Sequence, residues 1–573
     1  MIKNYLAITI GPIDKTLTKA LKTREVWLSS YIFSYLMGLI VMEIISRKTG
    51  RVILPDASLL ENQKEYYGAG VFNDRCFIEL EKDFKHSDFE NLRECVINSF
   101  LFGKKLCFPS GQEGTLCNTR NFSREHFPCE LLKLSPEALK DYLQIYGLVT
   151  ELDTEKDHII DRLNKLLDGL ERQSAYQVKE NTVIEQLFEN VAWFYPLGFD
   201  LKNNEIKQLE VTKTDNNGKS CLLPVVAFPT TIEISAHQYI NNDSDIDKIL
   251  KNILSQLLSE DKRAYKEVNE TNILTLLRKK NKSALKAAHQ YFCVVHVNAD
   301  NLCNYYNKIG NDWNKVNRFN NCMISFAKDA VKIIHDFGGQ PIYAAGDDLF
   351  FLAPVLTTLK GNFCNVFDLI RILDFVFKDI FSKKGILPLP DLSCGLSVLH
   401  YKYPLTGAVL QSRNLLSKAK DMFQKNSLAV QLIYSDGKSC QAIFSKSKNS
   451  SFDDFIELLK DFPSKSFYVS SVQRKIHDNM SLLQAIGKDN PPDFIGFFKN
   501  EYKSADMDNA PIRLFIERSS RIFTAIFKEQ KLLYANGETL FDAEVITKAC
   551  EGAMLQLDSI YRILNFLNQP YHV

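Results

Sequence analysis

The sequence lacks an excess of either charge. Its 70 basic residues stand against 69 acidic ones, and the formal net charge is +1. This balance excludes a protein that coats nucleic acid through its overall field, so local patches or other subunits must hold any RNA or DNA partner. Short-period repeats and low-complexity tracts are also missing. At 573 residues the chain is too long for one hydrophobic core, and its length predicts roughly three to four domains.

Paired metal-ligand cysteines are missing as well. None of the 13 cysteines forms a Cys-x-x-Cys motif, and several lie inside apolar runs. An odd number of scattered cysteines indicates reduced, buried thiols rather than a disulfide framework. One loose group has a spacing that structural zinc sites do not show, so zinc is the weaker interpretation there. The group consists of Cys95, Cys107, Cys117, His126 and Cys129.

No signal or targeting peptide is visible, because the N-terminus runs straight into the strand-like YLAITI at 5–10. The segment 27–45 is nearly long enough to span a membrane. It contains three serines, two tyrosines and Glu43, however, and these residues favour a deeply buried core helix. We therefore expect a cytoplasmic protein with no membrane partner.

The pattern of strands and helices predicts an α+β protein with four regions. Two regions are predicted α+β units, in which helices cover an antiparallel sheet, and two are predicted to be helical. In the first unit a long helix is expected over 15–47, and the second region has predicted helices at 135–149 and 157–173. The regions are 1–112 (α+β), 113–225 (helical), 226–445 (α+β) and 446–573 (a C-terminal helical bundle).

The second α+β unit has the clearer pattern. From residue 291 the predicted order is β-α-β-β-α-β-α-β, the ferredoxin-like plan with an extra element. Its first strand is expected at 291–300 and its central hairpin at 340–354. Before it, the segment 274–290 carries five basic residues and no acidic one. That segment is either a solvated helix face or a surface that faces phosphates.

Two adjacent carboxylates, Asp347 and Asp348, follow Gly346 at the tip of the predicted hairpin. In a ferredoxin-like sheet the first strand lies beside this hairpin, and it turns polar at Asn298 and Asp300. These two residues share a face because they are two positions apart. The sequence therefore predicts that Asp300, Asp347 and Asp348 converge on one point of the sheet and bind Mg²⁺ or Mn²⁺. The alternative is a solvated hairpin tip.

Nucleotidyl transfer is the chemistry that uses such a site. One metal lowers the pKa of an attacking hydroxyl, and a second metal steadies the pyrophosphate leaving group. Gly346 is predicted to have a positive φ and to leave room for a triphosphate. Only one of Asp347 and Asp348 is expected to be a direct ligand, because successive strand residues point to opposite faces. Lys418 and Lys420 are either phosphate contacts or exposed helix lysines.

Six segments of the chain resemble the large palm-domain subunit of type III-B CRISPR RNA-guided effector complexes. The resemblance implies two ferredoxin-like palm domains of the polymerase or cyclase type, with ATP bound where they face each other. It places the family's catalytic motif on Gly346, Asp347 and Asp348, with Asp300 on the facing strand. It also places Ser29 and Ser30 near the nucleotide pocket. The segments are 8–37, 70–80, 228–236, 297–306, 343–354 and 393–421.

The sequence departs from the family pattern in three ways. Ala345 replaces a common glycine, which is tolerable unless that residue needs a positive φ. Asn298 replaces a common aspartate, and its amide oxygen can still ligate Mg²⁺ without charge. The chain begins at the first palm, so the His-Asp nuclease domain of many relatives, and its activity, are not expected. The two His-Asp dipeptides are predicted to be ordinary surface pairs: His335-Asp336 and His477-Asp478.

The resemblance implies a nucleotidyltransferase that target RNA activates and that makes cyclic oligoadenylate, an adenylate second messenger, from ATP. Its implied partners are other protein subunits, a guide CRISPR RNA and target RNA. Two alternatives stay open. The same site could join AMP to S-adenosylmethionine, or the chain could be an inactive scaffold. Ala345 and Asn298 motivate the scaffold, and the three retained aspartates argue against it.

Overall fold

The structure is a computed structural model, and its helices and strands are numbered here in chain order. Residues 274–285 of the basic segment lie outside the described residues. The same is true of Cys117, His126 and Cys129. The described residues are 1–61, 63–101, 103, 106–107, 134–173, 182–191, 194–200, 207–214, 220–240, 286–359, 362–422, 425–447, 450–460, 467–489, 492–502, 508–535, 540 and 542–568.

The first α+β unit is a four-stranded antiparallel sheet with strand order β2-β3-β1-β4. Helices follow β1 and β3, and the resulting β-α-β-β-α-β succession is the predicted ferredoxin-like plan. The strands are β1 (Ile2–Gly11), β2 (Gly50–Leu54), β3 (Arg75–Leu80) and β4 (Gln144–Asp153). The helices are α1 (Ile13–Leu17), α2 (Thr23–Ser46) and α3 (His86–Leu101). The single helix predicted over 15–47 is thus two helices.

Strand β4 corrects the prediction for the second region. The helix predicted over 135–149 is wrong beyond Tyr142, where α4 (Pro136–Tyr142) ends. The next ten residues pair with the whole of β1, and their β-branched and aromatic side chains suit a strand. The first α+β unit therefore extends past residue 112, where the sequence placed its end. The helix predicted at 157–173 is present as α5 (Ile159–Gln173).

Helix α2 is the core of the first unit. It is hydrophobic on all sides, and 83% of its most apolar 18-residue stretch is buried inside the protein. Among the described helices it alone is long and apolar enough to cross a membrane. Trp27 is fully buried and its Nε1 donates to the Gly68 carbonyl oxygen over 2.7 Å. The prediction of a buried core helix at 27–45 is confirmed.

The second α+β unit is a six-stranded sheet with strand order β14-β13-β12-β7-β9-β8. Its neighbouring strands are antiparallel except β12 and β13, which are parallel. The predicted element order is present, although β14 and a small hairpin were not predicted. The strands are β7 (Tyr291–Ala299), β8 (Gln340–Ala345), β9 (Asp348–Pro354), β12 (Leu392–His400), β13 (Ser427–Ile433) and β14 (Ser439–Ser445), with β10 (Leu356–Leu359) and β11 (Asn362–Asn365) in the hairpin.

Helix α13 (Leu405–Lys420) lies directly on β12. A Cβ atom added to Gly395 would overlap the carbonyl oxygen of Ser412 and the amide nitrogen of Leu416. Gly395 pairs with His296, so α13 covers the sheet face that also carries Asn298. This close approach brings the end of α13 to the hairpin tip. The unit's other helices are α8 (Thr231–Ser235), α9 (His237–Ile240), α10 (Leu302–Ile309), α11 (Trp313–Asp336) and α12 (Val366–Lys383).

Backbone hydrogen bonds join the two units. Gly70 N donates to the Ile342 carbonyl oxygen over 3.0 Å, and Ala344 N donates to the Gly70 carbonyl oxygen over 2.8 Å. A segment of the first unit therefore pairs with β8, the edge strand of the second sheet. Ser34 of α2 fixes that segment, because its Oγ accepts from the amides of Val71 and Phe72 over 2.8 and 2.9 Å.

The other elements surround these two units. Buried apolar residues from both units and from the C-terminal helices form one continuous cluster. The region between the units contains α6 (Thr182–Glu189), α7 (Tyr195–Gly198), β5 (Lys207–Thr214) and β6 (Ser220–Ala227). The C-terminal region contains α14 (Ser451–Lys460), α15 (Phe467–Asp478), α16 (Met480–Ile486), α17 (Phe494–Asn500), α18 (Ala510–Ala535) and α19 (Ala543–Asn568).

The contact between α13 and β12 can be tested with Gly395→Ala. The added methyl group meets backbone atoms that cannot rotate away, so we expect a loss of about 2 kcal/mol or more in the free energy of unfolding. Thermal denaturation of the full chain measures it. Gly169→Ala in α5 is the control, because nothing lies within 4 Å of its added Cβ. That control should leave stability unchanged or raise it slightly, and an equally stable Gly395→Ala variant would contradict the packing.

Candidate active site

The hairpin tip is a two-residue turn between β8 and β9. Ala345 pairs with Asp348, which leaves Gly346 and Asp347 as the loop. Gly346 has a φ of +60°, as predicted, whereas neither Ala345 nor Asp347 has a positive φ. This pattern, with glycine first, is that of a type II′ turn. The methyl group of Ala345 is therefore accommodated without backbone strain.

Asn298 connects the two aspartates. It lies opposite Asp348 in the pairing of β7 and β9. Its Nδ2 donates to Asp347 Oδ2 over 2.9 Å and also to Asp348 Oδ1. On its other side, Nζ of Lys420, the last residue of α13, donates to Asn298 Oδ1. One amide thus links both carboxylates to one ammonium group.

Asp300 does not join this group, which corrects the predicted convergence of three carboxylates. Its Oδ2 accepts from Ser393 Oγ over 2.8 Å and from Asn426 N over 2.9 Å. The side chain is 4% exposed, and Oδ1 is buried without a hydrogen-bond partner. Asp300 and Asn298 do share a sheet face, but the carboxylate of Asp300 bonds to Ser393 and to the loop before β13 instead.

Asp300 is linked to a network of mostly half-buried charged residues that the sequence did not predict. The Asp300 amide donates to the Asp391 carbonyl oxygen over 2.8 Å, and Lys378 links Asp391 to Asp374 at 3.2 and 2.9 Å. Lys446, whose side chain is 2% exposed, pairs with Asp374 at 2.6 Å. Burial alone would raise the pKa of Asp374, but the two lysines outweigh it and lower the pKa. The network anchors Asp300 in the sheet.

The first unit contributes two further polar residues to the hairpin tip. A Cβ atom on Gly346 would come within 3.2 Å of Asn73 Nδ2, so that side chain lies against the turn. Asp74 is close enough for the charge of Asp348 to raise its pKa. No spacing in the sequence points to either residue, although both lie in the segment 70–80 that carries the family resemblance.

The carboxylates of Asp74, Asp347 and Asp348 lie close enough for their charges to act on one another. Burial by the surrounding protein is the main cause that raises the pKa of Asp347, Asp348 and Asp74, that of Asp74 to about 6. The charge of Asp347 raises the pKa of Asp348 further, whereas Asn298 and Lys420 lower it. Solvent still reaches the side chains of Asp74 and Asp348. These two carboxylates therefore lie at the surface where the units meet rather than in the core.

The other predicted nucleotide contacts are two serines of α2 and Lys418. Ser29 is fully buried, and its Oγ donates to the Glu25 carbonyl oxygen within α2 over 2.7 Å. Ser30 is half-buried on the same helix. Lys418 is exposed, and its Nζ donates to Gln441 Oε1 over 2.8 Å. Of the two helix lysines, Lys420 reaches the site.

The described residues contain no group of three or more histidine, cysteine, aspartate or glutamate side chains placed to hold a metal ion. At the turn two carboxylates lie together, those of Asp347 and Asp348, and Asn298 turns its N–H groups rather than its oxygen toward them. The Mg²⁺ or Mn²⁺ site at this turn stays a prediction.

The His-Asp dipeptides are helical neighbours. Nδ1 of the histidine lies 3.9 Å from the carboxylate of Asp336 in the first pair and 3.7 Å from that of Asp478 in the second. His335 also stacks on Tyr67, with ring centroids 4.4 Å apart.

Two regions of the chain match known protein families. Residues 5–98 match the family described as "CRISPR-associated protein Cmr2, N-terminal", and residues 291–429 match "Cas10/Cmr2, second palm domain". A curated relative, CRISPR system Cmr subunit Cmr2 of Pyrococcus furiosus (strain ATCC 43587 / DSM 3638 / JCM 8422 / Vc1), is 31% identical over 116 residues. That stretch is 20% of this chain and only 12% of the relative.

Solved structures of type III-B Cmr-beta are also similar. The cryo-EM structure bound to cognate target RNA gives a TM-score of 0.50 at 12% identity and covers 90% of this chain and 78% of the other. The apo state gives 0.48 at 11% identity and covers 83% and 75%. At 12% identity, the likeness to the target-RNA-bound structure shows a shared fold.

The contact between Gly346 and Asn73 can be tested with Gly346→Ala. A positive φ costs alanine about 1 kcal/mol, and the methyl group also meets Asn73, so the loss of stability should exceed that backbone cost. Gly437→Ala is the matched control, because Gly437 has a φ of +85° and open space around its added Cβ. Thermal denaturation compares the two. If Gly346→Ala costs no more than Gly437→Ala, Asn73 does not press on the turn.

Proposed function

Because the chain belongs to the Cas10/Cmr2 family of type III-B CRISPR systems, we propose that it is the palm-domain subunit of an RNA-guided effector complex and a nucleotidyltransferase that uses ATP. The observation that carries this proposal is the hairpin turn with Asp347 and Asp348. The turn lies at the junction of two palm-like units, and Asn73 and Asp74 approach it from the other unit.

Asp347 and Asp348 are the proposed catalytic residues, and they are also the carboxylates offered to Mg²⁺ or Mn²⁺. A divalent cation, when bound, supplies the positive charge that a triphosphate requires. Gly346 keeps the turn free of a side chain, and Asn298 and Lys420 orient the two aspartates through the hydrogen bonds described above. Asp300 acts as a positioning residue for β7, since it is buried and bonded to Ser393 and Asn426.

Cyclic oligoadenylate is the proposed product, made when a growing 3′ hydroxyl attacks the α-phosphate of an incoming ATP and releases pyrophosphate. Guide–target RNA pairing would read sequence, and the protein would sense the duplex. The proposed partners are therefore other subunits of the complex, guide CRISPR RNA and target RNA, in the cytoplasm. The near-neutral charge suits this role, because other subunits would then hold much of the RNA backbone.

Two other functions remain candidates. Transfer of AMP from ATP to S-adenosylmethionine would use the same aspartates and differ in the acceptor. An inactive scaffold is favoured by one observation, namely that Asn298 replaces a family aspartate. Each candidate predicts a different product from the same assay.

The assay assembles the complex with guide and target RNA, adds ATP and Mg²⁺ with or without S-adenosylmethionine, and identifies products by mass spectrometry. We expect an adenylate product that depends on target RNA. The Asp347→Ala/Asp348→Ala variant should lower its rate at least about 100-fold, because the cation that would neutralise the triphosphate loses its carboxylate ligands.

Asp478→Ala serves as the control, since this exposed carboxylate on α15 lies outside the site. It should leave the rate unchanged. A product that requires S-adenosylmethionine identifies the second candidate. If no adenylate product forms, or if the double variant makes as much product as the unmodified chain, the catalytic proposal is wrong and the scaffold stands.

A further inference from the structure

Three partners fix the orientation of the Asn298 amide. Lys420 Nζ can only donate hydrogen bonds, so it faces the amide oxygen, and the ionised aspartates can only accept, so they face Nδ2. Rotating the amide by half a turn would set the lysine ammonium against an NH₂ group. The same rotation would set an oxygen against two carboxylates. The observed orientation is therefore the one that hydrogen-bond chemistry allows with this set of partners.

That orientation would present the amide nitrogen of Asn298, and not its oxygen, to a divalent cation at the two aspartates. Mg²⁺ and Mn²⁺ take oxygen ligands, and the amide nitrogen cannot serve as one. The N–H groups of Asn298 point at the carboxylate oxygens that a cation would use. They offset the repulsion between the two aspartates, with the charge of Lys420 one hydrogen bond away. In this state the Asn298 amide and the Lys420 ammonium group compensate the negative charges of the two aspartates.

We propose that Lys420 and a divalent cation compete for Asn298, so that binding of the metal frees the Lys420 ammonium group. A cation at the aspartates can recruit Asn298 only through Oδ1, and Oδ1 is the atom that Lys420 holds. The two states exclude each other, because one oxygen cannot turn toward both sides. Metal entry therefore breaks the hydrogen bond between Lys420 and Asn298.

The freed lysine has a defined place. Lys420 ends α13, and α13 is held close to β12 at Gly395, so the ammonium group stays beside the turn. There it becomes available to an anionic group that enters with the metal. That this anion is a substrate phosphate rests on the proposed function, whereas the competition itself rests on the three hydrogen bonds.

Amine acetylation of the full chain, followed by peptide mass spectrometry, tests the release directly. Saturating Mn²⁺ should raise the acetylation rate of Lys420 by at least about three-fold, because the metal shifts the lysine to its unbonded state. Lys418 is the internal control, since it lies on the same helix and bonds to Gln441 rather than to the site. The Asn298→Ala variant lacks the amide for which Lys420 and the metal compete. In this variant Mn²⁺ should not raise the acetylation rate of Lys420.

The reciprocal effect is measured by titrating Mn²⁺ and following the free ion by electron paramagnetic resonance. Coupling is mutual, so removing the competitor must strengthen metal binding. Lys420→Met should bind Mn²⁺ roughly ten-fold more tightly than Lys418→Met, the value of one charge-assisted hydrogen bond. Both variants remove one positive charge from the same helix, so net charge does not explain a difference in Mn²⁺ affinity between them.

These measurements separate the competition from catalysis. An unchanged or lowered Lys420 rate with Mn²⁺ overturns the competition, and so does equal Mn²⁺ affinity of the two methionine variants, including a failure of both to bind. Either result could accompany full adenylate synthesis in the assembled complex. Conversely, a chain that makes no product but shows the Mn²⁺-dependent release would keep the competition and lose the proposed reaction.

Discussion

The pairing of Gly70 with strand β8 is the constraint on which the site depends. Two backbone hydrogen bonds attach a segment of the first unit to the edge of the second sheet, two residues before the turn. Gly70 allows this approach, since a Cβ there would come within 2.8 Å of Ser34 Cβ. Ser34 in turn belongs to α2, the buried core helix of the first unit. The core of one unit thus sets the distance from Asn73 and Asp74 to the turn of the other.

The predictable part of this structure is the part that local pattern and topology determine. The long strands and helices of the second unit, the positive φ of Gly346 and the neighbourhood of Asn298 and Asp348 all follow from hydrophobic periodicity and the ferredoxin-like plan. The fourth strand of the first sheet did not follow. Its sequence also suits a helix, and only pairing with β1 along its whole length decides for the strand.

The unpredicted features of the site come from contacts between distant segments. Asp300 has the right position for a ligand, yet its carboxylate bonds to Ser393 of β12 and to Asn426, which lies in a loop whose path no periodicity reveals. The pairing between the units brings Asp74 close to Asp348. Lys420 was one of two equivalent helix lysines in the sequence, and the packing of α13 against Gly395 selects it.

The pairing at Gly70 also protects the second sheet. A free edge strand offers unpaired amides and carbonyls to any extended chain that approaches, and such edges invite aggregation. Here the segment around Gly70 covers β8. At the opposite edge α19 packs on β14, where the Ile443 amide donates to Gln556 Oε1 over 2.9 Å. Backbone groups at both edges of the six-stranded sheet thus find partners within the chain. Edge groups that are already bonded are not open to pairing with a strand of another chain.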